Sequence, residues 1–217
     1  MQVRVLSVSD RVEELIYSPN IRQRFNDVAF AISCGDLPYY YVEYIVSALD
    51  KPVFYVRGNH AKLLEQSETG PRSGPRGGVE MHRQVREHCG VLLAGVEGSI
   101  RYKPGPFQYS QREMWVNVLG LIPGLIHNRA RHGRYLDIFI SHAAPWKIND
   151  REDWPHQGVK AFRWLIEVFR PSYHLHGHIH LMGPDFTRVV KHRDTDVINT
   201  YGYRYNLFSL PTYKKQF

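Results

Sequence analysis

Apolar positions recur along the chain in short runs of strand length. The runs are Val3 to Val8, Val28 to Ser33, Pro52 to Val56, Val91 to Val96, Leu136 to Ile140 and Tyr173 to His176, then Phe186 to Lys191 and Val197 to Thr200. Between several of them the apolar period lengthens to that of a helix. Tyr41, Tyr44, Ile45, Ala48 and Leu49 make one stripe behind Pro38, and Phe162, Leu165, Ile166 and Phe169 make another that Pro171 closes. Arg112 to Leu121 predicts a third helix, and Glu80 to Cys89 a weaker fourth. This alternation predicts an α/β protein. No internal repeat appears and no boundary divides two cores, so one domain spanning 1–217 is expected, with a loop-rich middle. Within that middle, Gly70 to Gly78 holds too much glycine and proline for a helix or central strand. It predicts a mobile loop, either a lid over a site or a plain connection.

Composition narrows the class. With 217 residues and 43% hydrophobic content the chain can bury a core without covalent staples. Only Cys34 and Cys89 are present, not closely paired and with no secretory leader ahead of them, which points to a reducing compartment and hence the cytoplasm. The longest uncharged apolar stretch, Met114 to Asn128, is too short to span a bilayer and is broken by Gly120, Pro123 and Gly124, so no membrane segment is expected. The formal net charge is +7, and its excess lies mostly in 61–135, where eleven basic side chains face six acidic ones. A basic middle suits the phosphates of a substrate or of nucleic acid, although no dense Lys/Arg run exists and a solvated face accounts for it equally. Histidine is the outlier. Of the 12 in the chain, His174, His176, His178 and His180 fall within seven residues, which points toward metal.

Five short polar signatures follow five of the predicted strands: Ser9-Asp10, Gly35-Asp36, Gly58-Asn59-His60, Ser141-His142 and Gly177-His178-Ile179-His180. Each alone is weak, since Gly-Asp is common in turns and a solitary histidine is usually a hydrogen-bond partner. Their shared position is the stronger signal. In open α/β sheets, ligands bind outside the carboxyl ends of the strands, where residues distant in sequence converge. One basin would then hold two carboxylates, an amide and several imidazoles, the donors that first-row divalent cations take.

The ordered set Asp, Gly-Asp, Gly-Asn-His, His, Gly-His-x-His resembles the calcineurin-like metallophosphoesterase superfamily across residues 3 to 200. Ser141-His142-Ala143-Ala144-Pro145, followed by Asp150, Asp153 and His156-Gln157-Gly158, is similar to its compact, single-domain phosphodiesterase branch. The resemblance implies a four-layer α/β sandwich, two mixed β-sheets face to face flanked by helices. It also implies two divalent cations, Mn²⁺ first, with Fe, Zn, Ni or Mg as alternatives. Carried over by position, Asp36 would bridge both ions. Asp10 and His180 would complete the first site, and Asn59, His142 and His178 the second. His60 would act as general acid while a metal-activated hydroxide attacks phosphorus, or else would fix Asn59. Arg57, His156 and Trp146 are candidate substrate contacts, with a charged strand end for Arg57 and ordinary loop contacts for the other two accounting for them equally. One phenol of Tyr39-Tyr40-Tyr41 is expected beside the site with another in the core. His174 and His176 read as structural, and Cys34 as a small core side chain.

One position departs from the pattern. Where the superfamily usually has Asp-x-His, this chain has Asp10-Arg11-Val12, so the first site loses an imidazole. Glu13 or Glu14 could substitute, although on a short helix near Arg11 they read as solvated charges. The implied function is hydrolysis of a phosphate ester, a small nucleotide or other organic phosphate, most directly by a phosphodiesterase. A nuclease acting on polynucleotides and a non-catalytic scaffold of the same fold are the alternatives.

Overall fold

The computed structural model describes residues 1–67, 70–181 and 187–211. Two mixed sheets carry the fold. In the first, Gly202–Ser209 pairs antiparallel with Gln2–Ser9, and Phe30–Ser33, Val53–Tyr55 and Gly78–Glu80 follow in parallel. In the second the order is Val189–His192, Thr195–Asn199, Tyr173–His176, Ile138–Ser141, Val91–Val96 and Gln84–His88. Its four central strands run parallel and both outer strands antiparallel.

Side-chain alternation sorts these strands into layers. Val5, Phe30, Ile32 and Phe54 of the first sheet meet Leu93, Ile138, Ile140, Leu175 and Ile198 of the second in one buried cluster, so the sheets pack face to face. The intervening positions face outward. Leu6, Val8 and Ala31 pack beneath the helices Ile21–Phe25 and Tyr39–Leu49, while Ala94, Phe139 and Val197 pack beneath Gln111–Leu119, Ile122–His132 and Lys160–Phe169. Helix, sheet, sheet, helix is the four-layer order that the resemblance implied. Both expected apolar stripes face the core, and Ser110 with Glu113 forms a capping box at the start of Gln111–Leu119.

Several expectations are corrected. Glu80 to Cys89 is not a helix but parts of two edge strands, and Gln84–His88 turns back onto Val91–Val96. The turn is built by Cys89 at φ 50 and Gly90 at φ 77, left-handed geometry that a hairpin tolerates and a helix does not. The Gly70 to Gly78 stretch is not wholly loop. Gly70–Arg72 pairs with Glu65–Ser67, and Gly78 opens the edge strand of the first sheet. No helix forms after Arg11, where the chain runs in turns. Ile122–His132 and Gly202–Ser209 were not anticipated. The strand expected from Phe186 begins at Val189, Phe186 itself lying outside the described residues.

Candidate metal centre

All five signatures begin at the last residue of a strand or within three residues beyond it, three on the first sheet and two on the second. The loops crowd closer than side chains would permit. A Cβ on Gly35, whose φ is 97, would lie 2.6 Å from the Gly58 nitrogen and 2.8 Å from His142 Nδ1. One on Gly177 would lie 1.8 Å from Ser9 Oγ and 2.6 Å from Asp10 Oδ2. Asp10, Asp36 and His178 themselves adopt positive φ values of 63, 54 and 66. Such backbone is uncommon outside glycine and gathers at functional sites.

Four lone-pair donors converge in the centre. Asp36 Oδ2 lies 3.1 Å from His142 Nε2, and Asn59 Oδ1 lies 2.9 Å from the same nitrogen. Ligand-capable atoms of Asp36, His142 and His178 all fall within 4.8 Å of one another. Two backbone carbonyls fix which imidazole nitrogen stays free. A carbonyl only accepts, so His142 donates from Nδ1 to Cys34 O at 2.8 Å and keeps its Nε2 lone pair inward. His178 donates from Nε2 to Pro155 O at 2.8 Å and keeps Nδ1. This is how histidine ligands are usually oriented.

The donor set suits a divalent cation. Carboxylate and amide oxygens directed at an imidazole lone pair repel unless something positive stands between them. In the metal-free chain a proton does so. Burial pushes the His142 imidazole down, but the Asp36 carboxylate, joined by Asp10 and the Cys34 carbonyl, outweighs it and holds His142 up at about 9. Burial likewise raises Asp36, yet His142 and the His60 N–H, which donates to Oδ1 at 2.8 Å, bring it down to about 2. A cation held by Asp36, Asn59, His142 and His178 would replace that proton.

The neighbouring position is poorer in donors. Both oxygens of Asp10 accept the His178 N–H, at 3.1 and 3.0 Å, and Oδ2 also accepts the Ser9 hydroxyl at 2.6 Å. His180 is half-exposed, its Nε2 3.9 Å from Asp10 Oδ1 and its ring against Tyr201. Val12 packs onto the apolar cluster below. Glu13 pairs with Arg11 at 3.4 Å and lies against Gly202. Among the described residues, the grouped carboxylates and imidazoles include neither Glu13 nor Glu14.

The other candidates divide. His60 is exposed and borders two cavities, one of about 500 Å³ running to Leu64 and Lys103, the other of about 350 Å³ running to Tyr40 and Asp36. His156 is drawn beside the centre, its ring 5.2 Å from that of His178 and its Nδ1 bonded to the Asp153 carboxylate. Arg57 sits just past a strand end, in keeping with its alternative reading. Its guanidinium is engaged by Glu80, by Glu97 at 3.2 Å and by Ser73 O at 2.8 Å, so it braces the loop behind Gly58 instead of offering free donors to a phosphate. Trp146 stacks among Lys147, Lys160 and Arg163. Tyr41 is core and Tyr40 is the exposed phenol of its run. His174 and His176 are buried. Burial pushes the Cys34 thiol up to about 12, leaving it neutral. Sequence reasoning missed Tyr102, whose hydroxyl accepts Asn59 Nδ2 at 3.2 Å, because no motif surrounds it.

The model of the calcineurin-like phosphoesterases matches residues 10–182, which takes in every donor just described. The chain belongs to that family. Membership in the calcineurin-like phosphoesterases supports a metal-dependent phosphoesterase acting on phosphate esters. No curated protein matches the sequence. Among solved structures, TT1561 of Thermus thermophilus superposes with a TM-score of 0.58 at 16% identity, over 93% of this chain and 90% of that one, a likeness of fold. The calcineurin-like phosphoesterase YfkN from Bacillus subtilis matches with a TM-score of 0.42 at 11% identity, over 96% and 90%. No helix among the described residues is long and apolar enough to cross a membrane.

Proposed function

We propose that the chain is a single-domain, metal-dependent phosphodiesterase, a phosphoric ester hydrolase that works with two divalent cations, Mn²⁺ foremost. The observation that carries this reading is the meeting of Asp36 Oδ2 and Asn59 Oδ1 on the inward lone pair of His142, with His178 beside them. Asp36, Asn59, His142 and His178 would hold one ion. Asp36, Asp10 and His180 would hold the other with fewer donors, since Val12 supplies none. When bound, the pair would acidify water and neutralise charge on the phosphoryl oxygens.

The chain's own residues do the rest. The exposed His60, whose backbone N–H donates to Asp36 Oδ1, would pass a proton to the departing oxygen. No Ser or Cys nucleophile is called for, and the neutral Cys34 thiol would be a poor one. A diester fits better than a monoester because His60 stands between two cavities, one for each ester substituent. His156, oriented by Asp153, would contact the substrate from the opposite loop.

Replacement Asn59→Ala or His178→Ala should abolish Mn²⁺-dependent hydrolysis of bis(p-nitrophenyl) phosphate while the circular dichroism of the fold persists. His60→Gln should lower kcat by roughly 10²- to 10⁴-fold with Mn²⁺ still bound in a calorimetric titration. Hydrolysis surviving in both ligand variants would overturn the assignment.

A further inference from the structure

The larger cavity beside His60 is amphiphilic. Leu63 and Leu64, 64% and 60% exposed, form its apolar wall with Pro104 and Pro106 opposite, while Lys62 and Lys103 supply positive charge. Exposed leucines side by side at the mouth of a site are a binding surface in waiting. The opposite wall is built, not loose. The buried Gln108 carboxamide accepts the N–H groups of Tyr102 and Lys103 at 3.3 and 3.4 Å. The Tyr102 hydroxyl meets Asn59, and the Lys103 ammonium stands 5.3 Å from the centre of that same phenol ring. Positive charge is thereby held one aromatic ring away from a residue of the metal centre. Among the described residues, no carboxylate pairs with either lysine.

Resting on the phosphodiesterase reading, we propose that this cavity is a leaving-group subsite selective for an ester whose alcohol carries a second phosphate together with an apolar or planar portion. The second phosphate meets Lys103 and Lys62, and the apolar or planar portion lies on Leu63, Leu64 and the two prolines. Hydrolysis adds the oxygen of water to phosphorus, breaks the bond from phosphorus to the alcohol oxygen, and returns a proton to that oxygen. The second phosphate therefore leaves on the alcohol.

The dinucleotides ApA and pApA differ only by such a phosphate and provide the test. Cleavage at the 3′ oxygen converts pApA to AMP alone, and ApA to adenosine and AMP. At low ionic strength the kcat/KM for pApA should exceed that for ApA by about tenfold, the sum of two exposed ion pairs, and the preference should fade with added salt. The double variant Lys62→Ala, Lys103→Ala should bring the ratio near one, and Lys103→Arg should retain it. Equal rates on the two dinucleotides, no cleavage of either, or a preference that survives the double replacement overturns the subsite; if bis(p-nitrophenyl) phosphate is still hydrolysed, the phosphodiesterase reading stands. If that ester also resists hydrolysis with Mn²⁺ present, the reading fails and the subsite falls with it.

Discussion

A ligating asparagine has to turn its oxygen inward, and the amide will flip unless its nitrogen finds an acceptor. In this chain Tyr102 supplies that acceptor for the nearly buried Asn59. Tyr102→Phe removes only the hydroxyl, so the apolar wall survives and the amide loses its anchor. Outer partners of metal ligands are commonly worth 10- to 100-fold in affinity, and we expect Mn²⁺ to bind roughly tenfold more weakly in calorimetry. Affinity equal to that of the parent would show that Asn59 is oriented without Tyr102. The same contrast marks what single residues disclose. Asp36, Asn59, His142 and His178 were legible because each sits in a short signature whose chemistry is local. Tyr102 and the carbonyls of Cys34 and Pro155 were not, because their roles depend on which loops meet, and a carbonyl has no side-chain signature. Arg57 had two readings for a related reason: a cation beside a phosphate site looks available until Glu80 and Glu97 are folded against it.

Strand ends set the centre's dimensions, and glycine permits the approach. At Gly35 any Cβ would face both the Gly58 nitrogen and the His142 ring from a φ of 97, with backbone on one side and a buried imidazole on the other. Neither can yield cheaply. Gly35→Ala should therefore cost about 1–3 kcal/mol of stability and displace His142 enough to weaken Mn²⁺ binding. A urea midpoint and a Mn²⁺ titration unchanged from the parent would show that the loops have slack. Elements with a strong period were readable from sequence, as Phe162, Leu165 and Ile166 demonstrate. Edge strands were not. Gln84–His88 has its half-buried positions, Val85 and His88, three residues apart and looks like an amphipathic helix until Cys89 and Gly90 are seen to reverse the chain. Ile122–His132 was hidden because Pro123 reads as a breaker, although proline in the first helical turn is well tolerated.

At the scale of the whole molecule, apolar runs announced most of the strands and resemblance implied two face-to-face sheets, but which sheet each strand joins came only from the fold, since period cannot say which strands become neighbours. The layering also has a consequence for acid stability. His174 lies between the second sheet and its helices, against Phe139 at 4.7 Å and Phe162 at 6.2 Å. Its Nε2 bonds Ser141 Oγ at 2.7 Å, while its Nδ1 has no partner. Burial holds its pKa well below 6.5, and burial brings His176 to about 4. Unfolded, each histidine takes up a proton near pH 6.5. Between that pH and the native value the unfolded chain binds more protons, so stability falls as pH drops below 6.5, by up to about 1.4 kcal/mol per unit for each residue. Above pH 6.5 neither histidine contributes. His142 acts in the opposite sense in the metal-free chain, adding stability below pH 6.5 that is lost as pH rises through about 9. Its contribution is nearly constant at acid pH, but His178, which burial brings to about 3, and His82, which burial also lowers, act in the same window as the buried pair. Urea denaturation between pH 5 and 6.5 therefore singles out His174 only through the difference between variant and parent. His174→Phe keeps a ring against Phe139 and leaves the Ser141 hydroxyl its bond to Ala143 O. Its stability should decline less steeply with acid than the parent's, and identical slopes would mean that His174 is protonated in the native fold.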